Sequence, residues 1–238
     1  MTNQDVHSWA DAARLTVVVG HFGSGKSEFS VNLALKLAEY GHPFALADLD
    51  VVDPYFRSRE CKNLLEAHGG RLITSSQACM DADVPSMPPE VMTLFDNKEL
   101  YGVLDIGGDA SGARVLARYR HRLQECGARV LCVINANRPL TDTPEKAVAY
   151  VESIAAASGL HIDGLVNNTH LCDRTEAIDI RNGANFAYEV SALTGIPIAC
   201  HAVPKKLVRQ VSSLHSVFPM ELYLKKPWEQ ELPQEEVS

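Results

Sequence analysis

The run LTVVVGHFGSGKSEFSVNLALKLAEYG, residues 15–41, constrains the chain more than any other stretch. It opens with a short apolar segment, LTVVVG (15–20), which reads as a buried central strand. It closes with a segment in which Phe29, Leu33, Leu37 and Tyr40 recur at helical spacing, and Gly41 stands where a C-terminal cap is expected. Between them Gly20, His21, Phe22, Gly23, Ser24, Gly25, Lys26 and Ser27 fit G-x-x-x-x-G-K-[ST]. The glycines let the backbone curl until its N–H groups point inward at phosphate oxygens, and the helix starting near Gly25 adds its positive end. Lys26 then reaches the β- and γ-phosphates, and the Ser27 hydroxyl is placed for Mg2+. A glycine turn without a nucleotide is the bland alternative, and the strand before and helix after speak against it.

The same alternation continues. FALADLD (44–50), GRLITS (70–75), LYGVLDIGG (100–108), ARVLCVINA (128–136), IDGLVNNT (162–169) and IPIACHAV (196–203) read as further strands, with helical stretches between most of them. One helix is expected over 144–158, with Thr143 as N-cap and Pro144 at the first helical position. Alternating strands and helices predict an α/β fold with a mostly parallel central sheet and helices on both faces. Ligands of such sheets collect at the carboxyl ends of the strands. His21, Asp48, Asp50, Asp105, Asn135 and Asn168 all follow strand ends. No linker or repeat divides the chain, so one domain is expected over 14–224. An N-terminal extension (1–13) precedes it, and an acidic tail rich in polar residues (225–238) follows. The segment SSQACMDADVPSMPPEV (75–91) is the least regular internal stretch, suited to a surface connection, a mobile loop or a partner-facing element.

A phosphate cradle needs acids to hold Mg2+ and orient water. Asp105 ends an apolar strand and opens D-x-x-G with Gly108, whose N–H can sense a γ-phosphate. Asp48 and Asp50 lie two apart at the end of the second strand, hence on one side. One of them supports the metal while the other positions or activates water. Asp109 is one residue too far and secondary. Arg57 and Arg59, in DPYFRSRE after Asp50, offset phosphate charge or make surface ion pairs. The guanine-reading N-K-x-D is absent, since NKEL (97–100) lacks the acid. Asn168 is an amide that can meet adenine, so ATP is expected over GTP.

Composition removes several classes. The net charge of -8 disfavours a general nucleic-acid binder. Six cysteines stand singly, with no CxxC or CxC pair, as reduced and mostly buried thiols do. The N-terminus has acids and no apolar signal core, and no stretch approaches the ~20 apolar residues of a membrane span. A cytoplasmic location is expected.

Together, the phosphate loop, DLDVVDPYFRSRE, LDIGG and GLVNN resemble the MinD/ParA/CobQ-type branch of P-loop ATPases, over roughly residues 14–204. The resemblance implies the P-loop NTPase fold, with Asp50 as the water-activating acid and Asp48 as an acid close to Mg2+. It likewise implies Asp105 as the acid at the end of the metal-binding strand and Asn168 as the adenine contact. Many members carry a second lysine after the first glycine of the loop, reaching across a nucleotide-sandwich dimer; here that residue is His21. A homodimer is possible by resemblance, without that lysine. The acidic, Pro-containing tail disfavours a MinD-like membrane-bound member, and one small basic patch, PKKLVRQ (204–210), against the net charge of -8 disfavours a ParA-like DNA-gliding one. The expected function is an ATPase whose loops couple ATP binding and slow hydrolysis to a protein partner. The alternatives are an ATP-dependent amidoligase of the CobQ or dethiobiotin-synthetase kind, or a metal-insertion ATPase bridging metal through single cysteines such as Cys79, Cys126 or Cys172.

Overall fold

The structure is a computed structural model that describes residues 13–50, 61–74 and 88–224. The strands expected from the sequence are met at seven places: β1 Leu15–Gly20, β2 Phe44–Leu49, β3 Arg71–Thr74, β4 Tyr101–Ile106, β5 Arg129–Ile134, β6 Gly164–Asn167 and β7 Ile198–Pro204. The helices are α1 Lys26–Glu39, α2 Lys62–Ala67, α3 Met92–Asp96, α4 Ala110–Glu125, α5 Pro144–Ser158 and α6 Ala177–Thr194. An eighth strand, β8 Val217–Met220, was hidden in the sequence by Pro219. Proline cannot donate to a ladder and is tolerated at a sheet edge, which is where β8 sits.

All eight strands run parallel in the order β3-β2-β4-β1-β5-β6-β7-β8. The chain steps outward from β1 to β2 and β3, returns to fill the gap with β4, and then crosses β1 to begin the other half at β5. β1 is therefore central, with β4 on one side and β5 on the other. This reversal is where a doubly wound sheet leaves a crevice beyond its strand ends.

Period-two alternation splits the core between the two faces. Leu15, Val17 and Val19 point to the face covered by α4, α5 and α6, through Leu116, Val151 and Phe186 among others. Val18 points to the opposite face, onto Phe29, Leu33 and Leu37 of α1 and Phe218 of β8. Each such buried side chain contributes about 1.5–3 kcal/mol. α1 ends as expected, with Gly41 left-handed at φ 79° just beyond it. α5 begins as expected, with the Thr143 side chain accepting the Lys146 N–H and Pro144 at the first position.

α6 crosses the loop after β6 at very short range: a Cβ built at Gly183 would lie 2.3 Å from the Thr169 Cβ. Thr169 in turn accepts the Ala136 N–H, so this contact ties the loops after β5 and β6 together. Gly183→Ala should lower unfolding free energy by roughly 1–3 kcal/mol in urea denaturation. A neutral effect would mean that α6 shifts without cost.

Candidate functional site

The loop between β1 and α1 has the backbone that its glycines prepare. Gly23 and Gly25 are left-handed, at φ 73° and 85°, where a side chain would be strained. The Ser24 N–H donates to the His21 carbonyl at 2.9 Å, closing the turn. Gly25 is the N-cap of α1 and has no side chain to occupy the helix end, so the first N–H groups face the loop's concavity. Phe22 is the exposed tip. Ser24 and Ser27 are buried.

Lys26, the first residue of α1, is buried and ion-paired with Asp50. Asp48 is the cross-strand register partner of Asp105, because β2 and β4 are neighbours. The Asp50 N–H donates to the Asp48 carboxylate at 3.3 Å. Lys26, Asp48, Asp50 and Asp105 thus converge at the carboxyl ends of β2 and β4, all under 5% exposed. Burial, opposed by Lys26 and reinforced by Asp48 and Asp50, pushes the Asp105 carboxyl up to about 7. The nearby Ser27 hydroxyl favours its ionised form, yet neither Asp105 oxygen has a well-formed hydrogen bond among the described residues. Such orphaned carboxylate oxygens beside a hydroxyl are a hard-oxygen donor set and fit Mg2+. No group of three or more His, Cys, Asp or Glu is arranged as a metal cage among the described residues. Mg2+ does not require one, since it commonly takes one or two carboxylates and completes its shell with phosphate and water.

Gly108 is pressed against the loop: a Cβ there would lie 1.9 Å from the Gly20 carbonyl oxygen. The Tyr150 hydroxyl of α5 donates to the Gly108 carbonyl at 3.1 Å. His21 does not point away as an outstretched cation would. Its ring meets the Tyr150 ring edge-on at 5.4 Å, and its Nδ1 lies 3.0 Å from the Phe22 carbonyl. Asp109 caps α4, its carboxylate accepting the Gly112 N–H, which is the structural role and not the chemical one.

Behind the loop lies a cavity of about 120 Å³, reached from Gly23, Gly25, Lys26 and Ser27. Asn168 lines it and donates from Nδ2 to the Ser24 carbonyl at 2.8 Å, so it props the loop from behind. Arg138, His170 and Glu28 also line it, and none was singled out from the sequence. Arg138 donates from Nε to the Gly23 carbonyl. Its signal was its place in NANRPLTDT, directly after β5. Burial, with Arg138 adding to it, pushes His170 down to about 4, so its ring is neutral at pH 7. Burial pushes Glu28 up to about 7, opposed by the backbone N–H groups of Tyr223 and Leu224.

Arg57, Arg59, Asp53 and Cys79 lie outside the described residues, as do 1–12, 51–60, 75–87 and 225–238. Of the other cysteines, Cys61, Cys132 and Cys200 are buried and Cys126 and Cys172 half-buried. Burial pushes the Cys132 thiol up to about 12, and that of Cys200 up as well, which leaves them unreactive. Lys205 of the basic patch pairs with Glu221, and Lys206 donates to the Asp173 carbonyl. No helix among the described residues is long and apolar enough to cross a membrane.

No family model and no curated protein matches this chain. Solved structures do. The cell division protein FtsY from Thermotoga maritima matches at 21% identity and TM-score 0.55, over 79% of this chain and 61% of that one. The Signal Recognition Particle 54 kDa protein from Aeropyrum pernix K1, in complex with GDP, matches at 19% and 0.52, over 84% and 48%. FlhF complexed with GTP and Mg2+ matches at 13% and 0.50, over 94% and 75%. The chain thus spans about half to three quarters of the length of these proteins. None of the three is a MinD- or ParA-type protein, the branch that the motifs resemble. What the likeness carries at these identities is the architecture: the chain has the α/β fold of P-loop nucleotide hydrolases.

Proposed function

We propose that the chain is a Mg2+-dependent ATPase of the MinD/ParA-like type, whose loops after β2 and β4 couple ATP binding and slow hydrolysis to a protein partner. The observation that carries this reading is the buried meeting of Lys26 with Asp48, Asp50 and Asp105. Desolvating such a set costs several kcal/mol per ion, and neither Asp105 oxygen has a well-formed hydrogen bond among the described residues. A divalent cation held with a polyphosphate would give those oxygens a partner, and the phosphates would take Lys26 from Asp50.

Position supports the following roles. Backbone N–H groups of Gly20–Ser27 and the α1 end hold the phosphates, with Lys26 on the β- and γ-oxygens. Ser27, Asp48 and Asp105 would hold Mg2+. When bound, Mg2+ supplies neutralisation of the charge that grows on the β–γ bridge. Asp50, released from Lys26, orients water in line with the γ-phosphorus and accepts its proton. The Gly108 N–H reports whether the γ-phosphate is present, and a loop that moves with it is the bistable element offered to a partner.

Adenine is our reading over guanine, and the cavity lining supports it. A guanine reader presents a carboxylate to N1–H and the 2-amino group. Leu171 stands three residues after Asn168, where N-K-x-D places that acid. Glu28, the acid lining the cavity, has both oxygens engaged by backbone N–H groups. Asn168 has an amide oxygen to offer the adenine amino group. Two of the matched structures hold GDP or GTP, but at 13–19% identity they say nothing of this base pocket.

Lys26→Ala should weaken Mg2+-ATP binding at least 100-fold by calorimetry; undiminished binding removes the cradle from the mechanism. Asp50→Ala should keep ATP binding and lose ~100-fold or more in phosphate release. If Asp48→Ala alone does so, the two acids exchange roles. Turnover that waits on a small carboxylic acid and gives a ligated product would transfer the chain to the amidoligase class.

The acid cluster also predicts a trade of stability against function. The Asp105 carboxyl titrates from its ordinary 3.8 up to about 7 in the fold. Between those values the folded state binds more protons than the unfolded one, so stability falls as pH rises through this window. Asp105→Asn should therefore raise nucleotide-free stability at pH 8 by about 1–3 kcal/mol and give no gain at pH 4. The same variant should lose Mg2+-dependent tightening of ATP. A melting temperature lowered at pH 8 would show that the ionised carboxyl is compensated after all.

A further inference from the structure

Beyond β8 the chain turns back over the first half of α1 and is fastened there. Asn32 clasps one residue by both its backbone groups: its Nδ2 donates to the Glu221 carbonyl and its Oδ1 accepts the Glu221 N–H, each at 2.9 Å. One turn nearer the cradle, Glu28 accepts the Tyr223 N–H at 2.7 Å on Oε1 and the Leu224 N–H at 3.2 Å on Oε2. Lys205 holds the Glu221 carboxylate at 2.9 Å from the other side. Residues 221–224 are not in a strand, so these side chains replace the ladder bonds that a strand would have had. The fastening comes from the helix that starts at the phosphate loop, with Glu28 two and Asn32 six residues after Lys26.

The fastened segment is a wall of the cavity behind the cradle. Met220, Leu222 and Leu224 line it together with Asn168 and Pro204. Leu222 is 53% exposed, an apolar side chain left open at a cavity mouth. The phosphate-loop residues and this segment line the same cavity, so an occupant anchored by its phosphates has the leucines within its reach.

We propose that residues 220–224 form the apolar face that receives the base of the bound nucleotide, and that Glu28 and Asn32 are positioning residues which hold this face in place. A planar heteroaromatic base buries the Leu222 and Leu224 side chains without asking for hydrogen bonds, so the face gives affinity for bases in general and leaves identity to Asn168. The inference rests on the reading of the cradle as a nucleotide site, and the test separates the two.

Mg2+-ATP and Mg2+-tripolyphosphate are titrated by calorimetry into the wild type, Leu222→Ser and Glu28→Gln. Glutamine keeps one acceptor oxygen and turns a donor toward the second N–H, so it loosens the segment without emptying the site. Leu222 is exposed enough that serine there does not threaten the fold. Both variants should lose at least tenfold in ATP affinity while tripolyphosphate affinity changes less than twofold. Parallel loss of both ligands in Glu28→Gln, with Leu222→Ser neutral, overturns the proposal and makes Glu28 a prop of the loop alone. ATP affinity unchanged in both variants also overturns it. A wild type that binds neither ligand overturns the cradle reading beneath it.

Discussion

The Lys26–Asp50 ion pair organises this end of the molecule. Lys26 owes its position to Gly25, whose left-handed backbone turns the loop into the helix one residue earlier. Asp50 owes its position to β2, which delivers it one residue past the strand end. The strand order then does the rest. β4 lies between β2 and β1, so Asp105 stands level with Asp48 on one side and beside the strand that leads into the cradle on the other. Exchanging the positions of β2 and β5 would leave every hydrophobic contact type in place and disperse the acids. The topology is therefore a condition of the chemistry as well as a way to cover a sheet.

A buried pair of this kind is weak evidence for stability, because desolvation offsets most of the attraction. Its meaning lies in what it can exchange. Lys26 has three donors on a flexible stem and can swap one anionic partner for another without moving the backbone. The hydrophobic layers on the two faces, fixed by Val18 facing one way and Val17 and Val19 the other, supply the rigidity against which that exchange takes place.

Much of this was legible in the sequence, for physical reasons. Central parallel strands are buried on both faces and read as unbroken apolar runs, so β1, β2, β4 and β5 stood out. β8 did not, because Pro219 breaks the pattern and only an edge position tolerates it. The cradle was legible since glycine, lysine and serine are required at fixed offsets. That Asp48 and Asp105, both expected near Mg2+, stand level in register on neighbouring strands was not, because register between strands distant in sequence is set by packing. Arg138, His170 and Glu28 escaped for the same reason: each reaches the cavity from a different loop or helix turn, and no spacing connects them. His21 was noted as a missing lysine, but its actual neighbour, Tyr150, lies 129 positions along the chain and gave no signal at all.

The short approach of Gly108 to the Gly20 carbonyl has a mechanical consequence. Two loops in van der Waals contact through bare backbone have no side chain between them to absorb a displacement. Motion of one by a few tenths of an ångström is handed to the other undiminished. Tyr150, bonded to the Gly108 carbonyl and touching His21, joins α5 to both members of the pair. If the loop holds phosphate as proposed, a shift of either loop on binding reaches α5 through Tyr150.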